Sequence, residues 1–252
     1  MTAVSFLLLI SGLKKSKKMV KYNNHVGLNE RMPSYQVKLG LGLHLGYAIE
    51  GAIGSYYKID ASYLSPNVRM AERLEGATKA YGVPLLISGA LHKYFTEKTK
   101  QQCRQVDYCT MNGNPDPVQL FTIDVDPSFI PIEDDGNFMT LKQMKIERVH
   151  QRILRNNMRE AAFNNEIQIS DSFENNVEIM VMRKMFGKEW METYEAGFTD
   201  YVNGNWKLAM NSFNKILEMK PDDKPTLNLI AFMKETNLEP PTNWLGHKFF
   251  AE

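Results

Sequence analysis

The densest set of chemically capable side chains in this 252-residue sequence is cationic. Lys145, Arg148, Arg152, Arg155 and Arg159 follow one another at steps of 3, 4, 3 and 4, which puts all five on one face of a helix. Such a stripe is either a solvated helix face or a docking surface for something acidic, such as tubulin, another protein or a phosphate backbone. Other candidates are thin. Cys103 and Cys109 are spaced C-x5-C, which matches no zinc pattern, and no His-x-x-x-His lies near them. Gly40, Gly42 and Gly46 are followed by no Lys-Ser/Thr, so they form no phosphate loop. His25, His92, His150 and His247 stand singly, without a Ser/Asp or Cys/Asp partner set. Trp244, Phe249 and Phe250 near the C-terminus read as exposed aromatic anchors, serving either as an intramolecular clasp or as a partner contact.

The elements that must position these residues can be read from periodicity. Residues 1–22 are apolar and then lysine-rich, the pattern of a buried helix running into a solvated basic end or of an interfacial anchor. The apolar stretch is too short for a membrane span, and its charges follow rather than precede it, so no span and no export signal are expected, and the buried helix is preferred over membrane contact. Residues 36–44 alternate Val37, Leu39, Leu41 and Leu43, and residues 48–53 read as a second strand, which predicts a hairpin over 36–54. A helix is predicted over 67–81, ended by Gly82, with a strand at 83–88. Strands at 102–110 and 117–125 flank the turn Asn112-Gly113-Asn114-Pro115. Residues 128–137 read as a linker, and everything beyond is helical in pattern. Composition agrees: 43% apolar, 23% charged and a net charge of +1 exclude a disordered chain and a globally basic nucleic-acid binder. Two cysteines exclude a disulfide scaffold and point to reduced thiols in an intracellular compartment.

The stretch GLHLGYAIEGAIGSYYKIDASYLSPNVRMAERLE (42–75) closely resembles the catalytic domain of class III adenylyl/guanylyl cyclases. The resemblance continues through YGVPLLISGALH (81–92), CRQVDYCT (103–110) and PVQLFTIDV (117–125), and its KIDASYLSPNV segment is similar to cyclases of ciliates and other protists. It implies an α+β fold, a partial ferredoxin-like half-domain in which helices cover an antiparallel sheet. It also implies cyclic nucleotide synthesis at the interface of two domains, one supplying two metal-binding aspartates, the other an asparagine, an arginine and a lysine. Two metal ions would activate the 3′-hydroxyl, and the cations would stabilise charge on phosphate. Carried over, the family's arginine is Arg73, its asparagine is replaced by Arg69, and its lysine by Asn112. Asn67 lies roughly 200° around the helix from position 69 and cannot stand in. Before the GLHLG segment there is no aspartate, and Glu30 is the sole acid before Glu50. The expectation is therefore a pseudoenzyme with no catalytic residues, no metal and no cofactor.

The tail adds a second resemblance. Gly197, Ala209, Phe213 and Pro221 fall at the offsets of a tetratricopeptide repeat over 190–221, which implies either a simple helix pair or a protein-binding surface. The expected organisation is an N-terminal helix (1–30), a truncated cyclase-like domain (31–126), a linker with the basic helix (127–170) and a tetratricopeptide-like tail (171–252). The functional expectation is a non-catalytic scaffolding subunit of a multi-protein assembly, cytoplasmic and, by its ciliate resemblance, ciliary or axonemal. Its partners would be other proteins, such as a cyclase-domain partner or microtubule-associated proteins, and not nucleic acid. The competing expectations are a cyclase subunit active only with a fuller partner chain and a module that binds nucleotide without turning it over.

Overall fold

A computed structural model describes residues 2–111, 114–132 and 140–249. In chain order the elements are α1 (Thr2–Lys15), α2 (Lys17–Asn23), α3 (Val26–Arg31), β1 (Leu41–Leu43), β2 (Ile49–Gly54), β3 (Ile59–Leu64), α4 (Pro66–Tyr81), β4 (Leu85–Ser88), α5 (Gly89–His92) and α6 (Glu97–Lys100). There follow β5 (Arg104–Met111), β6 (Asn114–Thr122), α7 (Leu141–Phe163), α8 (Ser172–Asn175), α9 (Val177–Arg183), α10 (Lys188–Val202), α11 (Trp206–Met219), α12 (Lys224–Glu235) and β7 (Lys248–Phe249). They pack as two compact units, one of residues 1–38 and 125–185, the other of residues 39–124 and 186–252.

The first unit is helical. Leu7 and Ile10 of α1 are buried, as are Ile179 and Met182 of α9. Lys15 closes this packing with a 2.6 Å ion pair to Glu178. The predicted single helix over 1–22 is in fact two, α1 and α2, with Ser16 between them in an extended conformation. No residue of α2 is buried, so the lysines face water as their solvation requires. Among the described residues no helix is long and apolar enough to cross a membrane.

The second unit is built on a five-stranded sheet in the order β1-β4-β6-β5-β7. The sheet is mixed: β1 pairs parallel with β4, and β7 parallel with β5, while β4, β6 and β5 run antiparallel. This corrects the expected antiparallel sheet. It also corrects the hairpin expected over 36–54, because β1 leaves its sequence neighbour and pairs Leu41–Leu43 with Leu85–Ile87 instead. The actual hairpin is a separate ribbon, β2 against β3, from Ile49 opposite Leu64 to Gly54 opposite Ile59. Two alternating runs in sequence satisfy a hairpin pattern, but of β1 and β2 only β1 carries a buried side chain, Leu43. The core joins Met70, Leu74, Ala77 and Tyr81 of α4 to Leu86, Val106, Cys109 and Leu120 of the strands. Helices α10 and α11 form an antiparallel pair in which Gly197 lets the backbones approach, since a Cβ there would meet Phe213 at 3.0 Å.

Candidate functional site

The residues singled out around 42–75 sit on β1, the β2–β3 ribbon and α4. Local chemistry explains the start of α4. Ser65 caps it by accepting a hydrogen bond from the Asn67 amide at 3.1 Å, and Pro66 occupies the first turn, where its missing N–H costs nothing. Gly82 ends the helix in the left-handed conformation (φ 63°) that favours glycine. Gly42 brings β1 against α4 so closely that a Cβ would lie 2.2 Å from the Ala71 carbonyl oxygen and 2.6 Å from the Glu75 amide nitrogen.

A polar clamp fixes the loop after β1 to the head of α4. The Tyr47 carbonyl accepts from the Ser65 hydroxyl (2.6 Å) and from the Asn67 carboxamide (2.8 Å). Asn67 Oδ1 meets His44 Nε2 at 3.1 Å, and His44 Nδ1 meets the Ser88 hydroxyl at 2.8 Å. A carboxamide oxygen only accepts, so Nε2 carries the proton and Nδ1 accepts from Ser88. The order Ser88–His44–Asn67 has the outline of a nucleophilic relay, yet Ser88 is 1% exposed and its hydroxyl caps α5. No substrate reaches such an oxygen, and the three side chains hold strands and helix together. Asn67 is fully engaged in this clamp.

Arg69 and Arg73 stand one turn apart on α4, Arg69 exposed and Arg73 half-buried. Neither forms an ion pair with another described residue, so both guanidinium groups are available to a ligand or partner. Asn112 lies outside the described residues, and its geometry relative to Arg73 is not part of the site. Among the described residues no cluster of three or more His, Cys, Asp or Glu side chains could hold a metal ion.

The carboxylates of the sheet are instead tied to cations of the fold. Arg104, buried on β5, forms a two-pronged pair with Asp223 (2.9 and 3.0 Å) and a 2.6 Å bond to Asp124. Its guanidinium lies over Tyr194 and Trp190 of α10, 4.4 and 5.4 Å from the ring centroids. Burial pushes the Asp223 carboxyl up, but the adjacent Arg104 overrides this and holds it below the usual carboxylate range. Asp107 accepts from the Tyr81 hydroxyl and the Tyr108 amide, and pairs with Lys248 of β7 at 3.0 Å. Burial, then the Asp107 charge, pushes the Cys109 thiol up to about 12. Sequence reading missed this network. Its signal was present as charged residues inside otherwise apolar strands, Arg104 and Asp107 in RQVDYCT and Asp124 in FTIDV.

The remaining candidates lie apart. Lys145, Arg148, Arg152, Arg155 and Arg159 are all exposed on α7, which buries no residue. Leu141, Met144, Val149 and Ile153 on the same helix are exposed as well. Trp244 is half-buried among Tyr201, Trp206 and Phe232 and donates its indole N–H to the Val202 carbonyl at 2.9 Å, the geometry of an intramolecular clasp. Phe249 lies on β7 opposite Thr110 with its side chain 63% exposed. Phe250 lies outside the described residues.

Among the described residues the β2–β3 ribbon carries many exposed apolar side chains. Ile49, Ile53, Ile59, Tyr63 and Leu64 are all more than half exposed, and Tyr56 at its tip is 98% exposed. By the register, Ile49, Ile53 and Leu64 share one face of the ribbon and Ile59 and Tyr63 the other, so both faces carry exposed apolar side chains, and a two-stranded ribbon of this kind is marginal in water by itself.

No protein-family model matches the chain, and no solved structure matches it. It is 25% identical over 89 residues to an adenylate cyclase of Anabaena cylindrica, covering 35% of this chain and 18% of that protein. It is 33% identical over 60 residues to adenylate cyclase 1 of Rhizobium meliloti (strain 1021), covering 24% of this chain and 9% of that protein. The chain thus spans less than a fifth of the length of these relatives, and what it shares with them is local similarity to adenylate cyclases within a mixed α/β fold.

Proposed function

We propose that the protein is a non-catalytic, cyclase-derived subunit that serves as a scaffold in a larger protein assembly. The observation that carries this reading is the β2–β3 ribbon, whose isoleucines, leucine and tyrosines stand bare in the isolated chain. A second protein that covers them would remove a sizeable apolar area from water, worth about 25 cal/mol for each Å². Three further features support it. Arg69 puts a charged, bulky group where the cyclases it resembles carry a neutral amide. Asn67 is held by His44 and Tyr47 and cannot swing across to replace that amide. The buried carboxylates Asp107, Asp124 and Asp223 neutralise Lys248 and Arg104. The close α10–α11 pair supports the reading of the tail as a tetratricopeptide-like adaptor. By its ciliate resemblance, the assembly we propose is cytoplasmic and ciliary or axonemal, with a cyclase-domain protein or microtubule-associated proteins as neighbours.

A second reading is a cyclase subunit active only beside a fuller chain. It is favoured by Arg73, which keeps the family's arginine and is bound to no acidic side chain among the described residues. One assay separates the two. The purified chain is supplied with Mg- or Mn-nucleoside triphosphate, alone and mixed with a cyclase domain that carries both metal aspartates. Scaffold function predicts no cyclic nucleotide above the partner's own background in any mixture. Product that appears only on mixing, and vanishes with Arg73→Ala, overturns the scaffold reading in favour of the second.

A further inference from the structure

Helix α7 carries an unpartnered surface that the cyclase-derived reading does not use. It runs for 23 residues, begins with a capping box between Thr140 and Gln143, and buries none of its side chains. At 100° per residue its surface divides into four bands. The cationic stripe of Lys145, Arg148, Arg152, Arg155 and Arg159 occupies one side. An apolar ridge of Ile146, Val149 and Ile153 flanks it, with Lys142 and Glu160 at its two ends, and a second ridge of Met144, Leu154 and Met158, interrupted by Glu147 and Gln151, lies roughly 150° further round. All six ridge residues are exposed, Ile146 at 59% and Met158 at 49%. The seam between the ridges, opposite the cations, is polar: Gln143, His150 and Asn157.

Four occupants can be weighed against this pattern. A second copy of the helix would set one stripe of positive charge beside another and be repelled. A phosphate backbone would neutralise the stripe and leave both ridges in water. A bilayer is flat, so burying both ridges would bury the polar seam between them without hydrogen-bond partners. A protein groove that closes around the helix from two sides reaches both ridges, satisfies the seam with its own polar groups and meets the cations with carboxylates on its rim. Charge complementarity requires that groove to be acidic, with apolar walls deep enough for isoleucine and methionine side chains.

We propose that α7 is the docking element for an acidic clamp protein of the EF-hand type, which opens a methionine-rich apolar groove when it binds calcium. This proposal stands apart from the scaffold reading and survives its failure. The test uses the full-length purified chain and calcium-loaded calmodulin as the probe, read by titration calorimetry and size-exclusion chromatography. The expected result is a one-to-one complex in calcium that dissociates when the metal is chelated. Affinity should fall at least tenfold both in Ile146→Gln/Ile153→Gln and in Arg152→Glu/Arg155→Glu. Every substituted side chain is exposed, and far-UV circular dichroism should show unchanged helix content in both variants. No complex with the calcium-loaded probe overturns the proposal. So does a complex whose affinity is untouched by the isoleucine pair, which would make the contact purely electrostatic. Co-sedimentation of the wild-type chain with vesicles containing 30% phosphatidylserine, abolished by the isoleucine pair, also overturns it and assigns α7 to a lipid surface.

Discussion

Replacing Arg104 tests the reading that the sheet's carboxylates are structural. Arg104→Met keeps an unbranched, apolar side chain of similar reach but removes the cation that bridges Asp124 and Asp223. The wild-type guanidinium makes three short bonds to two carboxylates at 2.6, 2.9 and 3.0 Å. The side chains of Arg104, Asp124 and Asp223 are 2%, 6% and 3% exposed, so water cannot replace it. Breaking a buried pair by deleting one partner costs about 3–5 kcal/mol, because the remaining charge is stranded. For a protein of this size that lowers the melting temperature by about 6–20 °C. All three tryptophans, Trp190, Trp206 and Trp244, lie in the unit that holds the cluster. Denaturant unfolding followed by tryptophan fluorescence therefore reports on that unit directly. Asp223→Asn should cost less, about 1.5–3 kcal/mol, because it removes a charge-assisted bond while the amide can still cap α12. A loss below about 1 kcal/mol in Arg104→Met would show that the carboxylates reach water and are free for another role, and would refute the argument.

Further outcomes follow from the same geometry. Gly42→Ala should destabilise by at least about 1–3 kcal/mol, measured by urea unfolding, because the new methyl meets the backbone of α4, which cannot turn aside. In a Cys103→Ser background, Cys109 should react with a disulfide reagent at pH 8 only when the protein is unfolded, since burial and Asp107 hold its pKa at about 12; rapid labelling of the native chain would contradict this. Stability should decline on acidification in two stages. Burial, then Lys100, lowers the His92 pKa from 6.5, so its contribution is complete above that value and is lost as the unfolded state takes up its proton first. The Asp223 pKa lies below 3.8, so its contribution is complete above that value and is lost as the pH falls through the lower, folded one. Arg104→Met should flatten the second stage and leave the first.

What the residues announce by themselves is local. The α4 helix was legible because its apolar residues recur at helical spacing and its ends carry Pro66 and Gly82, signals that act within a turn or two of chain. The same holds for α7 and for the α10–α11 pair, where Gly197 and Phe213 mark a close approach of neighbouring helices. Arg69 at the asparagine position of the resemblance is also a property of the string alone. The turn between β5 and β6 announced their pairing, but the partners of β1 and β2 were not legible. An alternating run states that one face is buried and does not name the partner strand, so β1 joined β4, more than 40 residues away, and β2 turned back on β3. The role of Asn67 emerged only when folding set it against His44 and the Tyr47 carbonyl. The charges in β5 and just after β6 were visible as residues, but tertiary structure alone brought Asp223 from the head of α12 to Arg104. A charge can be buried only where its counter-charge arrives, and that arrival is decided by packing across more than 100 residues rather than by any neighbour in the chain.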